Sequence, residues 1–464
     1  MTDWIGAAEA AQRLGIKQAS LYSYVSRGVL TPRRGADGRA SLFDAAEIAG
    51  LARRGRPRRA QGAAELVIRS ALTEISGDRL RYRGHDAIAL ATRRSFEDVA
   101  GLLWTGSFGD AAAGVPWQAT REAVAAGTAA QAALPPGTYP LERLQVIVPA
   151  LAVTDRLRLQ LDRPAVIAAA RSLIAGMVDC LPAPTHLPVP LHGLPAVERD
   201  SEEGMGRRVG GGGIAGGSGP SGSGPRGSGG VPREGAVPGS TVSPRASTTS
   251  GDGSIAARLA TKLCLRPPSD GLTRALRAAL VLLADHELAA STLAARVAAS
   301  VRADPYAVVG TGLGAMSGAL HGGAALGAEV MLLSAGGPAD APRVVGELLR
   351  RGERIPGFGH FVYQTGDPRS VLLLDLIRSA EPESDRLAVA EAVLAEAKRR
   401  ALPAPNIEFA LAVLATVAGM IPGSGEAVFA TARTAGWLAH ALEEYARATP
   451  IRPRGVYTGP SVSL

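Results

Sequence analysis

The 464-residue sequence has only two cysteines, Cys180 and Cys264, in neither a metal-ligand nor a redox spacing. That excludes a thiolate metal centre and a dithiol redox motif, and it fits a reducing, cytoplasmic compartment. Lysine is nearly absent: of 50 basic side chains only Lys17, Lys262 and Lys398 are lysines. Arginine dominance of this kind reads as a coding bias, so arginine count by itself carries no functional argument. Aromatic residues make up 4% of the chain. Alanine and leucine therefore carry the apolar surface, which favours helix over strand. No run of about 18 uncharged apolar residues occurs, so no membrane span is expected. The opening "MTDWIGAAEAAQRLG" lacks the basic-then-apolar pattern of a secretory signal. What is present is a 46% hydrophobic, globular composition, long enough for two or three domains.

The net charge of +8 is uneven, because residues 1–60 hold eleven basic and five acidic side chains. A local surplus of that sign attracts acidic partners. In the same region "GAAEAAQRL" (6–14) has helical apolar spacing at Ala7, Ala10, Ala11 and Leu14, and Gly15 ends it. "KQASLYSYVSRG" follows, with Ser20 as N-cap and Gly28 as stop, which is helix-turn-helix spacing. "VLTPRRGADGRASLF" reads as two short extended pieces around a glycine-rich turn, and "DAAEIAGLARR" as a third helix capped by Asp44. Residues 1–52 thus resemble a MerR-like winged helix-turn-helix. The resemblance implies DNA contacts from Lys17, Ser20, Tyr22, Arg27, Arg33 and Arg34, with the arginines of the wing meeting phosphates. The bland alternative is a module for protein contact or a relic.

Residues 53–63 read as a basic linker, and 64–464 as a mainly α-helical region. "AAELVIRSALTEIS" opens it with a strand-like piece and a turn, then two helices follow, the second capped by Ser95 with Asp98 three residues on. Residues 203–253 are glycine, serine, proline and arginine with almost no large apolar side chains, so this insertion is expected to be disordered.

The chemistry concentrates in the C-terminal half. "GFGHFVYQTGDPRS" places His360 on a glycine bend nine residues before Arg369. Such a pair can polarise a carbonyl and hold a carboxylate. His286 lies in "LLADHELAAST", near a helix end. His321 lies in "SGALHGGAALGAE", before a helix whose positive dipole end keeps the imidazole neutral. Glu408 in "PAPNIEFALAV" is a carboxylate suited to taking a proton from carbon. Arg433 and Arg452 supply guanidinium forks. His440 and His85 read as structural, and Trp437 as core.

"DHE", "LHGGA", "PGFGHFVYQTGDPR", "PNIEF", "FATARTAGWLAHALE" and "RPRGVYTG" occur in the order and spacing of the citrate synthase family, which the chain resembles over roughly 64–200 and 254–464. The resemblance implies a helical fold with a small mobile subdomain near 325–425. It implies a Claisen-type condensation of acetyl-CoA with oxaloacetate, with acetyl-CoA as a substrate and no cofactor or metal. It also implies His321 on the enolate, His360 on the oxaloacetate carbonyl, and oxaloacetate held by His286, Arg369, Arg433 and Arg452. Arg452 would reach in from a neighbouring subunit of a homodimer or larger oligomer. Two positions depart from the family pattern. Glu408 stands where the family has aspartate, and Ala289 where it has asparagine. Two alternatives stay open: a 2-methylcitrate synthase using propionyl-CoA, and a DNA-binding regulator whose citrate synthase-like domain senses oxaloacetate, citrate or an acyl-CoA.

Overall fold

The structure, a computed structural model, describes residues 4–14, 21, 25, 30, 32–34, 41–49, 68–109, 117–184, 253–319, 321–363, 365–447, 449–455 and 457–459. The chain divides into two compact units, Met1–Arg69 with Pro453–Leu464, and Ser70–Arg452.

The first unit contains β1 (Trp4–Gly6), α1 (Ala7–Leu14), β2 (Arg33–Arg34) and β3 (Ser41–Asp44). The strands form an antiparallel sheet in the order β1-β3-β2, with Ile5 opposite Phe43 and Arg33 opposite Leu42. The two extended pieces expected around the glycine turn are β2 and β3. The third strand, β1, carried no signal, because three residues show no period. Ile5, Ala10, Ala11, Leu21, Leu30, Phe43 and Ile48 bury one another in a core of their own. Asp44 caps the next helix as expected, its Oδ1 accepting from the Ala46 N–H at 2.8 Å. Arg33 is exposed on the edge strand, its guanidinium 5.6 Å from the Trp4 ring centroid. Lys17, Ser20, Tyr22 and Arg27, the linker at 53–63 and the insertion up to residue 252 lie outside the described residues.

The second unit opens with the hairpin β4 (Thr73–Ser76) and β5 (Arg79–Tyr82), followed by β6 (His85–Asp86). The hairpin turn puts both Gly77 and Asp78 at φ 57°, the left-handed geometry that suits the twist of a two-residue loop. The helices α2 (Ala87–Arg93) and α3 (Phe96–Thr105) come next. Ser95 and Asp98 cap α3 reciprocally, as their spacing predicted, and Gly106 ends it at φ 85°. After them come α4 (Arg121–Ala129), α5 (Pro140–Ala152) and α6 (Arg163–Cys180). The chain continues through α7 (Ile255–Leu263), α8 (Asp270–Leu283), α9 (Ala290–Ser300), α10 (Pro305–Met316) and α11 (Gly323–Leu333). It closes with α12 (Ala341–Arg350), α13 (Pro368–Ala380), α14 (Asp385–Arg399), α15 (Ile407–Val417) and α16 (Ser424–Tyr445).

The long helix α16 is the axis of this unit. Its residues are buried on every face, the mark of a helix inside a core rather than on its surface. Trp437 and Trp104 are fully buried, and the Trp104 Nε1–H donates to the Ala435 carbonyl at 2.9 Å. Helix α10 crosses α16 at Gly312, where a methyl group would lie 2.6 Å from the Trp437 ring. Each fully buried leucine, valine or phenylalanine around this axis contributes about 1.5–3 kcal/mol.

Candidate active site

The glycine bend at 357–360 is shaped by what it packs on. Gly357 has φ 79°, and a Cβ there would lie 2.7 Å from Phe409 Cβ, so the backbone passes directly over the start of α15. The two segments are zipped together. Gly359 N–H donates to the Ala404 carbonyl at 2.8 Å and Asn406 N–H to the Gly357 carbonyl at 2.9 Å. The Asn406 side chain closes the zip, its Nδ2 donating to the Gly359 carbonyl at 2.8 Å and its Oδ1 accepting from Glu408 N at 3.0 Å. His360 and Glu408 are thereby held on one piece of backbone.

His360 has a defined proton. Its Nδ1 accepts from the Val362 and Tyr363 N–H groups at 3.0 and 3.3 Å, so the neutral ring carries its hydrogen on Nε2. Arg369 Nη2 lies 3.4 Å from that Nε2. Burial first, then the Arg369 charge, holds the His360 pKa below its usual value. Asp367 fixes the guanidinium: Oδ1 accepts from Arg369 Nε at 2.9 Å and Oδ2 from Arg369 Nη2 at 2.8 Å. The same Oδ2 accepts from Ile407 N at 2.9 Å, at the first residue of α15.

His286 sits in the turn between α8 and α9. The turn is sharpened by Glu287, at φ 50°, whose Oε1 accepts from Ile75 N of β4 at 3.0 Å. The His286 Nε2 lies 3.0 Å from the Tyr363 hydroxyl, and its ring meets that of His360 edge-on at 5.4 Å. Burial, followed by Arg369, Arg433 and His360, pushes its pKa well below the ordinary histidine value. Tyr363 also lies under the Arg369 guanidinium at 5.2 Å. His286, His360, Tyr363 and Arg369 are thus one cluster of neutral rings around a cation.

His321 precedes α11, and its Nε2 lies 2.7 Å from Ser291 Oγ. Its pKa is lowered, as expected, but burial is the main cause and Arg433 the second. Phe429 stands edge-on to His321 at 6.1 Å, and the Arg433 guanidinium stacks on Phe429 at 4.6 Å. Arg433 is 1% exposed and its Nε donates to the Leu283 carbonyl at 2.7 Å. Burial lowers its pKa to about 10. Glu408, on the first turn of α15, is pushed up to about 7, by burial chiefly, with Arg369 pulling the other way. Arg452 is exposed.

Behind the cluster lies a buried charge network. Asp285 Oδ2 accepts from Thr73 Oγ1 at 2.5 Å and pairs with His440 Nε2 at 3.2 Å. Burial alone would raise the Asp285 pKa, but His440, Arg433 and Thr73 hold it below the ordinary value. Arg296 joins His440 to Glu443 and Glu444. Ser291, Tyr363, Asp367 and Asn406 were missed from sequence. Only the positions of Asp367 and Asn406, each at a helix N-cap, carried a signal that could have found them.

A family model described as the citrate synthase C-terminal domain matches residues 63–201 and 234–454. Citrate synthase 2 of Bacillus subtilis is 38% identical over 200 residues, 42% of this chain and 53% of the relative. Putative citrate synthase 2 of Mycobacterium tuberculosis is 40% identical over 185 residues, 39% and 50% of the two chains. The chain therefore spans about half the length of the curated relatives it matches. Among solved structures, citrate synthase from Thermotoga maritima superposes with a TM-score of 0.60 at 23% identity, covering 87% of this chain and 97% of the other. Citrate synthase from Thermoplasma acidophilum, in a ternary complex with carboxymethyl coenzyme A and oxaloacetate, gives a TM-score of 0.60 at 21% identity over 86% and 95%. At that identity the likeness establishes the fold. Among the described residues no group of three or more histidine, cysteine or acidic side chains has a metal-binding arrangement, and no helix is long and apolar enough to cross a membrane.

Proposed function

This chain belongs to the citrate synthase family, and from that premise we propose that it condenses acetyl-CoA with oxaloacetate to give citrate and free CoA. The observation that carries the reading is the fixed tautomer of His360, with two backbone donors on Nδ1 and Arg369 beside Nε2. A neutral donor next to a guanidinium is what a keto acid needs: Nε2–H polarises the ketone while Arg369 and Arg433 take the carboxylates. His286 adds a further neutral ring to that pocket.

Glu408 removes a methyl proton from acetyl-CoA. Its raised pKa, about 7, suits a base that must take protons from carbon near neutrality. Ser291 Oγ lies 2.7 Å from His321 Nε2; in this reading the hydroxyl donates there, and the His321 proton sits on Nδ1 to stabilise the enolate oxygen. The enolate carbon then bonds to the ketone carbon, and His360 hydrogen-bonds the new alkoxide. Water hydrolyses the resulting thioester, splitting it into citrate and the CoA thiol. The same reading makes the protein a cytoplasmic homodimer or larger homo-oligomer in which exposed Arg452 serves a neighbour's oxaloacetate site, and it makes 325–425 a subdomain that closes over the substrates.

The test is product analysis by mass spectrometry after incubation with oxaloacetate and acetyl-CoA or propionyl-CoA. Citrate as the preferred product supports the proposal. A preference for 2-methylcitrate reassigns the acyl group, and no condensation product refutes it. A second reading is favoured by the separate core of the N-terminal unit and the exposed Arg33 on its edge strand. In it the first 52 residues bind DNA and the larger unit reports ligand. Duplex binding by the full chain that weakens steeply with salt supports this reading, and no binding at low salt rules it out.

A further inference from the structure

The first turn of α16 is wedged between the two helices that present the acid–base residues. A Cβ on Gly425 would lie 3.5 Å from Ala325 Cβ of α11 and 3.6 Å from Leu411 Cβ of α15. Ala325 comes four residues after His321, and Leu411 three after Glu408, so each contact lies about one helical turn beyond a site residue. On α16 itself, Phe429 reaches the edge of the His321 ring. This turn therefore bears on both helices, about one turn from His321 on one side and from Glu408 on the other.

One side chain locks the turn in place. Glu329 of α11 is 2% exposed, and its Oε2 and Oε1 accept from Gly423 N and Gly425 N, each at 2.8 Å. Among the described residues it has no basic partner. Two amide donors at a helix N-terminus take the place of a counter-ion. A methyl on Gly425 would lie 2.8 Å from Glu329 Oε1, so the clamp needs glycine there. We propose that Glu329 is a positioning residue for the condensation, holding the first turn of α16 so that His321 and Glu408 address the same acyl group. This rests on the reading given under Proposed function; Glu329 itself touches neither substrate.

Among the described residues, the charged groups that act on Glu426 and Tyr139 at this turn are acidic: Glu329 itself, Glu142 on α5 and Glu408 on α15, while the His321 ring meets Phe429 further along α16. Burial raises Glu329 to about 7 and Glu426 to about 8. The clamp is therefore ionised and complete above about pH 7, and loses an acceptor as pH falls through that value.

Glu329→Gln keeps one acceptor and sets an N–H₂ against the other amide. It is expected to lower kcat by about tenfold or more while leaving the KM for oxaloacetate within about twofold, because His286, His360 and Arg369 lie on other elements and Arg433, about two turns further along α16, is held separately by the Leu283 carbonyl. Gly425→Ala, with Glu329 intact, should give the same split, and it decides the matter alone if the first variant does not fold. A folded variant with kcat within about twofold of the unaltered protein overturns the proposal. So does a KM that rises in step with the loss of kcat. Absence of turnover in the unaltered chain refutes the condensation instead. The clamp is then read by amide exchange at Gly423 and Gly425: exchange corrected for intrinsic rate should slow as pH rises through about 7, and Glu329→Gln should remove that step while Glu426→Gln leaves it in place. A step near pH 7 that survives Glu329→Gln overturns the clamp.

Discussion

Asp367→Asn replaces a carboxylate by a group of the same shape, so its effect isolates charge and donor–acceptor pattern. Asp367 is 1% exposed and Arg369 2%, so solvent does little to screen their interaction. The carboxylate accepts four hydrogen bonds, from Arg369 N, Nε and Nη2 and from Ile407 N. An amide satisfies only one side. Whichever way it is turned, its N–H₂ faces two donors, and the buried Arg369 loses its counter-charge. Breaking a buried pair in this way costs about 3–5 kcal/mol. At about 2 °C per kcal/mol for a large domain, the melting temperature should fall by roughly 6–10 °C. The sign with pH follows from the direction of the shift. Burial would raise the Asp367 pKa, but Arg369 and the Ile407 amide hold it below the ordinary value. The stabilisation is therefore full above the unfolded value of about 3.9 and is lost as pH falls through the folded one. Denaturant unfolding at pH 7 and pH 3 measures both, and the gap between the two proteins should narrow at the lower pH. Oxaloacetate should also cease to raise the melting temperature of the variant. A loss below about 1 kcal/mol at pH 7, or an unchanged response to oxaloacetate, would refute this view of Arg369.

Three further outcomes are expected. Ser291→Ala removes the hydroxyl that orients His321, so kcat should fall by about tenfold or more with the KM for oxaloacetate unchanged; steady-state kinetics reads this directly. Ala289 is the N-cap of α9 and makes no side-chain cap bond, so Ala289→Asn should raise stability by about 0.5–1 kcal/mol in urea unfolding. As the proposed base, Glu408 acts in its ionised form, and burial lifts its pKa to about 7, so the rate should fall about tenfold per pH unit below that value.

The parts of this molecule legible in its sequence are those written by local chemistry. The Ser95–Asp98 capping box, the Asp44 cap, the short strands β2 and β3 and the helical content all follow from spacing. The six ordered motifs named His286, His321, His360, Arg369, Glu408, Arg433 and Arg452, and the structure gathers His286, His360 and Arg369 around Tyr363, with Arg433 stacked on Phe429 beside His321. Illegible were the groups that act through distant partners. Ser291 meets His321 across 30 residues, Asp367 meets Ile407 across 40, and Glu329 meets Gly425 across 96. No local period records such pairs. The lowered pKa of His321 was expected from its place before a helix, yet burial and Arg433 are its causes, and neither is visible in the neighbouring residues.

The central claim is that Glu408, despite its extra methylene, is the base of an oxaloacetate-dependent condensation. The most direct measurement is release of the CoA thiol from acetyl-CoA, with and without oxaloacetate, by the unaltered protein and by Glu408→Gln. The account predicts release that requires oxaloacetate and falls by at least about 100-fold in the variant. Release that persists in Glu408→Gln would contradict it, as would an unaltered protein that binds oxaloacetate and frees no thiol.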